Sequence, residues 1–155
     1  MKLNYTYKVF QLLIFSILFF SFSCETTKNI NKSNHGEVQK ISLRKTGMVN
    51  SSVLEITETE KFFIVQNHGG DENTHSSKTN ESEWKELKKM LAVIDLNQID
   101  SWEAPTQERF HDGARAVQIT ISMESQEFNS HSFDEGKPPA ELSELYNYLV
   151  SLENQ

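Results

Sequence analysis

Val117-Gln-Ile-Thr-Ile-Ser-Met123, then Glu124-Ser-Gln126, then Glu127-Phe-Asn-Ser-His-Ser-Phe133 is the stretch that sets the fold class. Val117, Ile119, Ile121 and Met123 alternate with Gln118, Thr120 and Ser122, the period of a strand with one face in a core. Glu124 to Gln126 supply a turn, and Glu127 to Phe133 return as the partner strand, with Phe128 as its main apolar anchor. A connection this short joins antiparallel strands, because a parallel pair needs a long crossover. Downstream, Gly136-Lys-Pro-Pro139 interrupts the pattern, and Pro138 and Pro139 suit the first turn of a helix. Leu142, Leu145, Tyr146, Leu149 and Leu152 then form one helical stripe.

Upstream, Asn80 to Ile94 reads as a helix. Asn80 with Glu83 three residues on is a capping-box start, and Trp84, Leu87, Leu91 and Ile94 make the apolar stripe. Leu96, Ile99 and Trp102 lead to Ala104-Pro105, which excludes further helix. Before Asn80, three strands are expected: Val38–Lys45 with Ile41 and Leu43 on one face, Val53–Glu58 with Leu54 and Ile56, and the apolar run Lys61–Gln66. His68 to Lys78 is polar throughout and reads as a loop. The order is β-β-β-α-β-β-α. It predicts an α+β domain over 38–153, with an antiparallel sheet of about five strands and two helices packed on one face.

The chain of 155 residues opens with a different kind of segment. Lys2 and Lys8 precede Val9–Phe22, an apolar run of 14 residues. A membrane span needs roughly 20, whereas a secretory leader uses about 7–15 behind a basic start. Residues 1–23 therefore read as a signal peptide. Glu25 to Glu37, ETTKNINKSNHGE, has one apolar residue and reads as a flexible tether. Its length gives a root-mean-square reach of roughly 20 Å.

Composition narrows the function classes. The formal charge is −7, and removing the leader with its two lysines leaves 13 basic against 22 acidic residues, net −9. Nucleic-acid binding needs a basic face, so that partner is not expected. The single Cys excludes an internal disulfide framework and a multi-cysteine metal site. There is no Gly-x-Ser-x-Gly elbow, no phosphate-cradling glycine loop and no dinucleotide fingerprint, and no cofactor is expected.

Three groups of residues carry chemistry. His68 and His75 share the polar segment with Asp71 and Glu72, a candidate divalent-metal set whose spacing matches no closed site. His111 beside Asp112, and His131 near Asp134 and Glu135, flank the hairpin as candidate acid–base pairs. The alternative for both is a solvated turn, since Asp112-Gly113 and Asp134-Glu135-Gly136 are turn sequences. Arg109, Asp112, Arg115, Asp134 and Lys137 fall in loops that the hairpin brings to one sheet end, where interaction surfaces tend to lie.

Ser21-Phe22-Ser23-Cys24, with small residues at −3 and −1 before a Cys, resembles a bacterial lipobox. The relaxed form, with Phe22 at −2, is similar to those of Bacteroidetes. The resemblance implies cleavage before Cys24, acylation of its thiol, and a cell-envelope protein held on the membrane by that lipid. Just after the Cys only Glu25 is acidic, where surface-exposed lipoproteins of Bacteroidetes often carry an acidic cluster, and this leans toward the outer membrane's periplasmic side. Trp84, the stretch Glu103–Ala114 and the stretch Ser132–Leu142 resemble small lipoproteins of Flavobacteria, over about 79–152. The helix, the loop, the Asp112-Gly113 step into a hairpin and the Pro-led last helix also resemble emfourin-type inhibitors of thermolysin-like metalloproteases. Where that family has an early Gly-Gly segment, this chain has Met48-Val49-Asn50, and no inhibitory residue is carried over. The reading is a lipid-anchored, non-enzymatic interaction domain with a protein partner. Its alternatives are a metalloprotease inhibitor and a metal-assisted hydrolase using His68, His75, His111 or His131.

Overall fold

The computed structural model describes residues 36–111 and 113–153. The signal peptide, Cys24, nearly all of the tether, and Asp112 lie outside the described residues. Among the described residues there are seven strands: β1 Val38–Thr46, β2 Asn50–Ile56, β3 Glu60–Asn67, β4 Glu72–Lys78, β5 Ala116–Met123, β6 Glu127–Asn129 and β7 Phe133–Asp134. Two α-helices join them, α1 Glu81–Leu91 and α2 Ser143–Leu152. The sheet is antiparallel, in the order β4-β3-β2-β1-β5-β6, with β7 continuing along β5 beyond β6. The α+β class is as expected from the hairpin pattern.

Strand parity explains the core. Ile41 and Leu43 of β1 lie opposite Ile56 and Leu54 of β2 on one side and Ile121 and Ile119 of β5 on the other. These side chains are almost fully buried, together with Trp84, Leu87 and Leu91 of α1 and Leu145, Tyr146, Leu149 and Leu152 of α2. All belong to one hydrophobic cluster. Phe133 packs edge-on against Tyr146, ring centroids 5.4 Å apart.

The largest departure from expectation is β4. Polar composition predicts a loop over His68–Lys78, but only 68–71 is a turn; Glu72–Lys78 is a seven-residue strand paired with β3 in unbroken register, from Glu60↔Lys78 to Gln66↔Glu72. Its side chains are nearly all exposed. Backbone hydrogen bonding to β3 makes it a strand, and nothing apolar had to alternate. The return strand of the second hairpin is also not continuous: it breaks at Ser130–Ser132 into β6 and β7. Ser130 donates its N–H to the Ile119 carbonyl (2.9 Å), and its hydroxyl accepts from the Ile119 amide (3.0 Å). These changes raise the strand count above the expected five.

Helix boundaries shift for local reasons. Asn80 caps α1, accepting from the Ser82 amide while Glu83 reaches back to the Asn80 amide, each at 3.0 Å. The helix stops at Leu91 rather than Ile94, because Asp95 captures the Asn97 amide and starts a 3-10 turn over Leu96–Gln98. Pro139 precedes a 3-10 turn, Ala140–Leu142, and the α-helical part begins only at Ser143. At the other margin, composition puts Glu37 in the tether, but its carbonyl accepts from the Glu124 amide at 3.2 Å, so the β5–β6 turn already holds it.

Candidate functional site

Four connections gather at one end of the sheet. They are the β1–β2 turn (47–49), the β3–β4 turn (68–71), the approach to β5 (108–115) and the β7–α2 turn (135–137). The described chain begins at the opposite end, beside the β5–β6 turn. A nine-residue strand such as β1 separates the two ends by roughly 30 Å.

Asp134 organises this end. It is fully buried, one residue beyond the core residue Phe133 and therefore on the other side of its strand. Its Oδ2 accepts from Thr106 Oγ1 at 2.5 Å and from the Glu108 amide at 2.7 Å. Its Oδ1 accepts from the Arg109 amide and from Arg109 Nη1, both at 3.0 Å. One carboxylate thus ties down the 3-10 turn Glu108–His111 and neutralises Arg109, whose side chain is only 9% exposed. Burial alone would raise the Asp134 pKa. The hydrogen bonds from Thr106, Arg109 and Glu108 outweigh it and hold the carboxyl well below the usual range.

A second network runs alongside. Lys45 has the parity of Ile41 and Leu43, so its ammonium rises from the core row, 3% exposed. It contacts Glu153 at 2.5 Å and Glu135 at 3.3 Å. Arg115 binds Glu135 in a two-point fork (2.6 and 2.5 Å) and reaches Asn50 Oδ1 at 3.3 Å. The fork raises the Arg115 pKa, and the same hydrogen bond to Arg115 lowers that of Glu135. Lys137 pairs with Glu108 at 2.5 Å.

Between the β1–β2 turn and the approach to β5 lies a cleft of about 570 Å³, open to solvent, whose walls include Met48, Val49, Arg109 and Arg115. Met48 and Val49 are 71% and 76% exposed, and Phe110, under the Arg109 guanidinium at 4.4 Å, is 65% exposed. Three large apolar side chains therefore stand in water at the sheet end that also carries the cleft. Gly47 is required there: a Cβ would come within 2.7 Å of the Arg115 side chain.

Of the residues singled out from sequence, Arg109, Arg115, Asp134 and Lys137 do meet at this end. Arg109 and Asp134 face inward as a mutual pair, and Arg115 and Lys137 are held by Glu135 and Glu108, so these charges serve first as the frame of the cleft. Asp112 lies outside the described residues. The histidines are exposed and spread over separate segments: His68 in the β3–β4 turn, His75 in β4, His111 in the 3-10 turn and His131 in the β6–β7 break. Among the described residues no three His, Cys, Asp or Glu side chains converge as metal ligands. Sequence reasoning missed Lys45, Thr106 and Glu153. Lys45 had a signal, since alternation places it in a core row. Thr106 and Glu153 act only through tertiary contact. No family model matches the chain, and no curated protein matches it.

Proposed function

We propose that this chain is a lipid-anchored interaction domain of the bacterial cell envelope, non-enzymatic, that binds a protein partner through the cleft end of its sheet. The observation that carries the reading is the exposure of Met48 and Val49 on the wall of a cleft, with Phe110 exposed at the same sheet end next to the lining residue Arg109, beside buried ion pairs that brace that end. Isolated apolar residues on a surface are ordinary; a group of them beside a rigid concavity marks a contact site. The excess of acidic residues favours a partner of net positive charge, drawn in at long range. The anchor rests on the leader and on Cys24, with the outer membrane's periplasmic face as its place. The contact end lies a strand's length from where the tether joins the domain, so anchoring leaves it open.

A photoreactive side chain at Phe110, in the full chain expressed in its source cell, is expected to give one discrete protein adduct. Replacing Met48 and Val49 with Asp should lower its yield by at least ~tenfold, the loss expected from one strong contact residue, with the melting temperature unchanged. No adduct, or one indifferent to the two aspartates, overturns the reading. An adduct with a metalloprotease would make the partner an inhibited enzyme, as the emfourin resemblance implies.

The anchor has a separate test. A labelled fatty acid should be incorporated into the wild-type chain and not into Cys24→Ala. An unlabelled wild type refutes lipidation.

A further inference from the structure

We infer that β4 is a self-pairing edge, through which two copies of this chain join their sheets into one continuous antiparallel sheet. The inference goes beyond the cleft and is independent of it. A free strand edge offers a row of unpaired N–H and C=O groups, and proteins usually guard it with a central charge, a proline, a bulge or a short length. The edge opposite β4 is guarded in this way: β6 and β7 have three and two residues with a break between them. The β4 edge is not. It runs seven residues, pairs with β3 without a register shift, contains no proline and is exposed nearly throughout. Its charges stand only at the two ends, Glu72 and Lys78.

The hydrogen-bond phase shows which groups face outward. Just beyond the two ends of the β3–β4 pairing, Asn67 donates to the Asp71 carbonyl and Thr79 to the Thr59 carbonyl. Bonded positions alternate along an antiparallel ladder, so Asn73, His75 and Ser77 point their backbone groups at β3. Glu72, Thr74, Ser76 and Lys78 point theirs away.

Pairing β4 with a second β4 about a two-fold axis at His75 places Glu72 opposite the partner's Lys78 and Thr74 opposite the partner's Ser76. All of these are outward-facing positions, and in this phase each pair exchanges two backbone hydrogen bonds. The same register sets opposite charges across both ends of the joint, where such cross-strand pairs stabilise. Sliding one chain by two residues keeps the phase and loses both charge pairs. Neither charge is well occupied within one chain. Among the described residues Lys78 has no carboxylate within ion-pair distance, and Glu72 accepts only from Thr74 Oγ1, at 3.4 Å. A two-fold contact consumes the open edge of both copies, so assembly stops at two. The cleft ends then point in opposite directions and neither is covered.

The test is the oligomeric state of the full chain in mild detergent, measured by sedimentation velocity across concentration. A monomer–dimer equilibrium is expected. Glu72→Lys and Lys78→Glu should each weaken the dimer at least ~tenfold, and the double reversal should restore it to within about threefold of wild type. Thr74→Pro removes an outward N–H while sparing the bonds to β3, and should abolish dimerisation with α1 and α2 intact by circular dichroism. A second readout fixes the register. His75 falls opposite itself in a non-hydrogen-bonded pair, where Cα atoms lie about 4.5 Å apart, within disulfide range. Mild oxidation of His75→Cys should therefore yield a covalent dimer, with wild type, whose one cysteine is Cys24, as the blank. A monomer at every concentration, a dimer indifferent to the charge reversals, or no cross-link above the blank would each overturn the inference.

Discussion

Replacing Asp134 with Asn is expected to lower the melting temperature by on the order of 10 °C, although the side chain keeps its size and both polar atoms. The reason is the donor count. The four hydrogen bonds to the carboxylate come from Thr106 Oγ1, two backbone amides and a guanidinium, with two arriving at each oxygen. An amide in either orientation turns an NH₂ toward the amide of Glu108 or of Arg109. It also leaves the Arg109 guanidinium buried without a countercharge, the costly way to break such a pair. Thr106→Val, which deletes one neutral donor and leaves the charges matched, should cost only about 1 kcal/mol.

The same residue predicts a pH signature. The folded carboxyl titrates below its unfolded value of 3.8, so its stabilisation is fully present above that value and is lost as pH falls through the folded pKa. Wild-type melting temperature should therefore decline steeply below about pH 4, whereas the Asn variant declines less in that window. Glu135 is depressed too, so the variant's curve is not flat. Melting curves from pH 7 to pH 2.5 decide it: parallel declines would mean that Asp134 does not carry the acid sensitivity. Because Asp134 holds the turn that presents Phe110, the variant should also lose the cleft-end adduct at temperatures well below melting.

What was legible in the sequence divides along physical lines. Wherever an element buries one face, its period is written in apolar residues, as in Val117–Met123 and in the stripe Leu142–Leu152. β4 was illegible because no face of it is buried; it exists through backbone pairing with β3, which leaves no mark on residue type. The β6–β7 break had a trace. Phe128 and Phe133 are five apart, an odd spacing, yet both are buried, and a regular strand would send them to opposite faces. One residue had to bulge, and the Ser130–Ser132 stretch supplies it. At the candidate site, the turn-rich loops and the meeting of Arg109 with Asp134 at one sheet end followed from the hairpin. The exposure of Met48, Val49 and Phe110 did not, because apolar letters in loops look alike whether they pack or stand free.

The last expected result separates stability from function at the Lys45 network. Lys45→Met should destabilise by about 3–5 kcal/mol, the cost of leaving a buried ion without its partner. Glu153 bears most of that cost. Its side chain is 9% exposed, its Oε1 has no hydrogen-bond partner among the described residues, and it caps the C-terminal end of α2, where the helix dipole disfavours a carboxylate. Glu135 stays matched by Arg115. Replacing both members, Lys45→Met with Glu153→Leu, removes the orphaned charge and should bring stability to within about 1 kcal/mol of wild type or above it, recovering roughly 3 kcal/mol of the single variant's loss. A double variant as unstable as the single one would show that the ammonium's other contacts hold the sheet end. The adduct at Phe110 then becomes informative. Lys45 sits one residue before the end of β1, under the turn that carries Met48 and Val49. If the stable double variant loses the adduct, the buried pair positions that turn for its partner at no gain in folding energy. If it keeps the adduct, Asp134 and the Arg115–Glu135 fork suffice to shape the cleft.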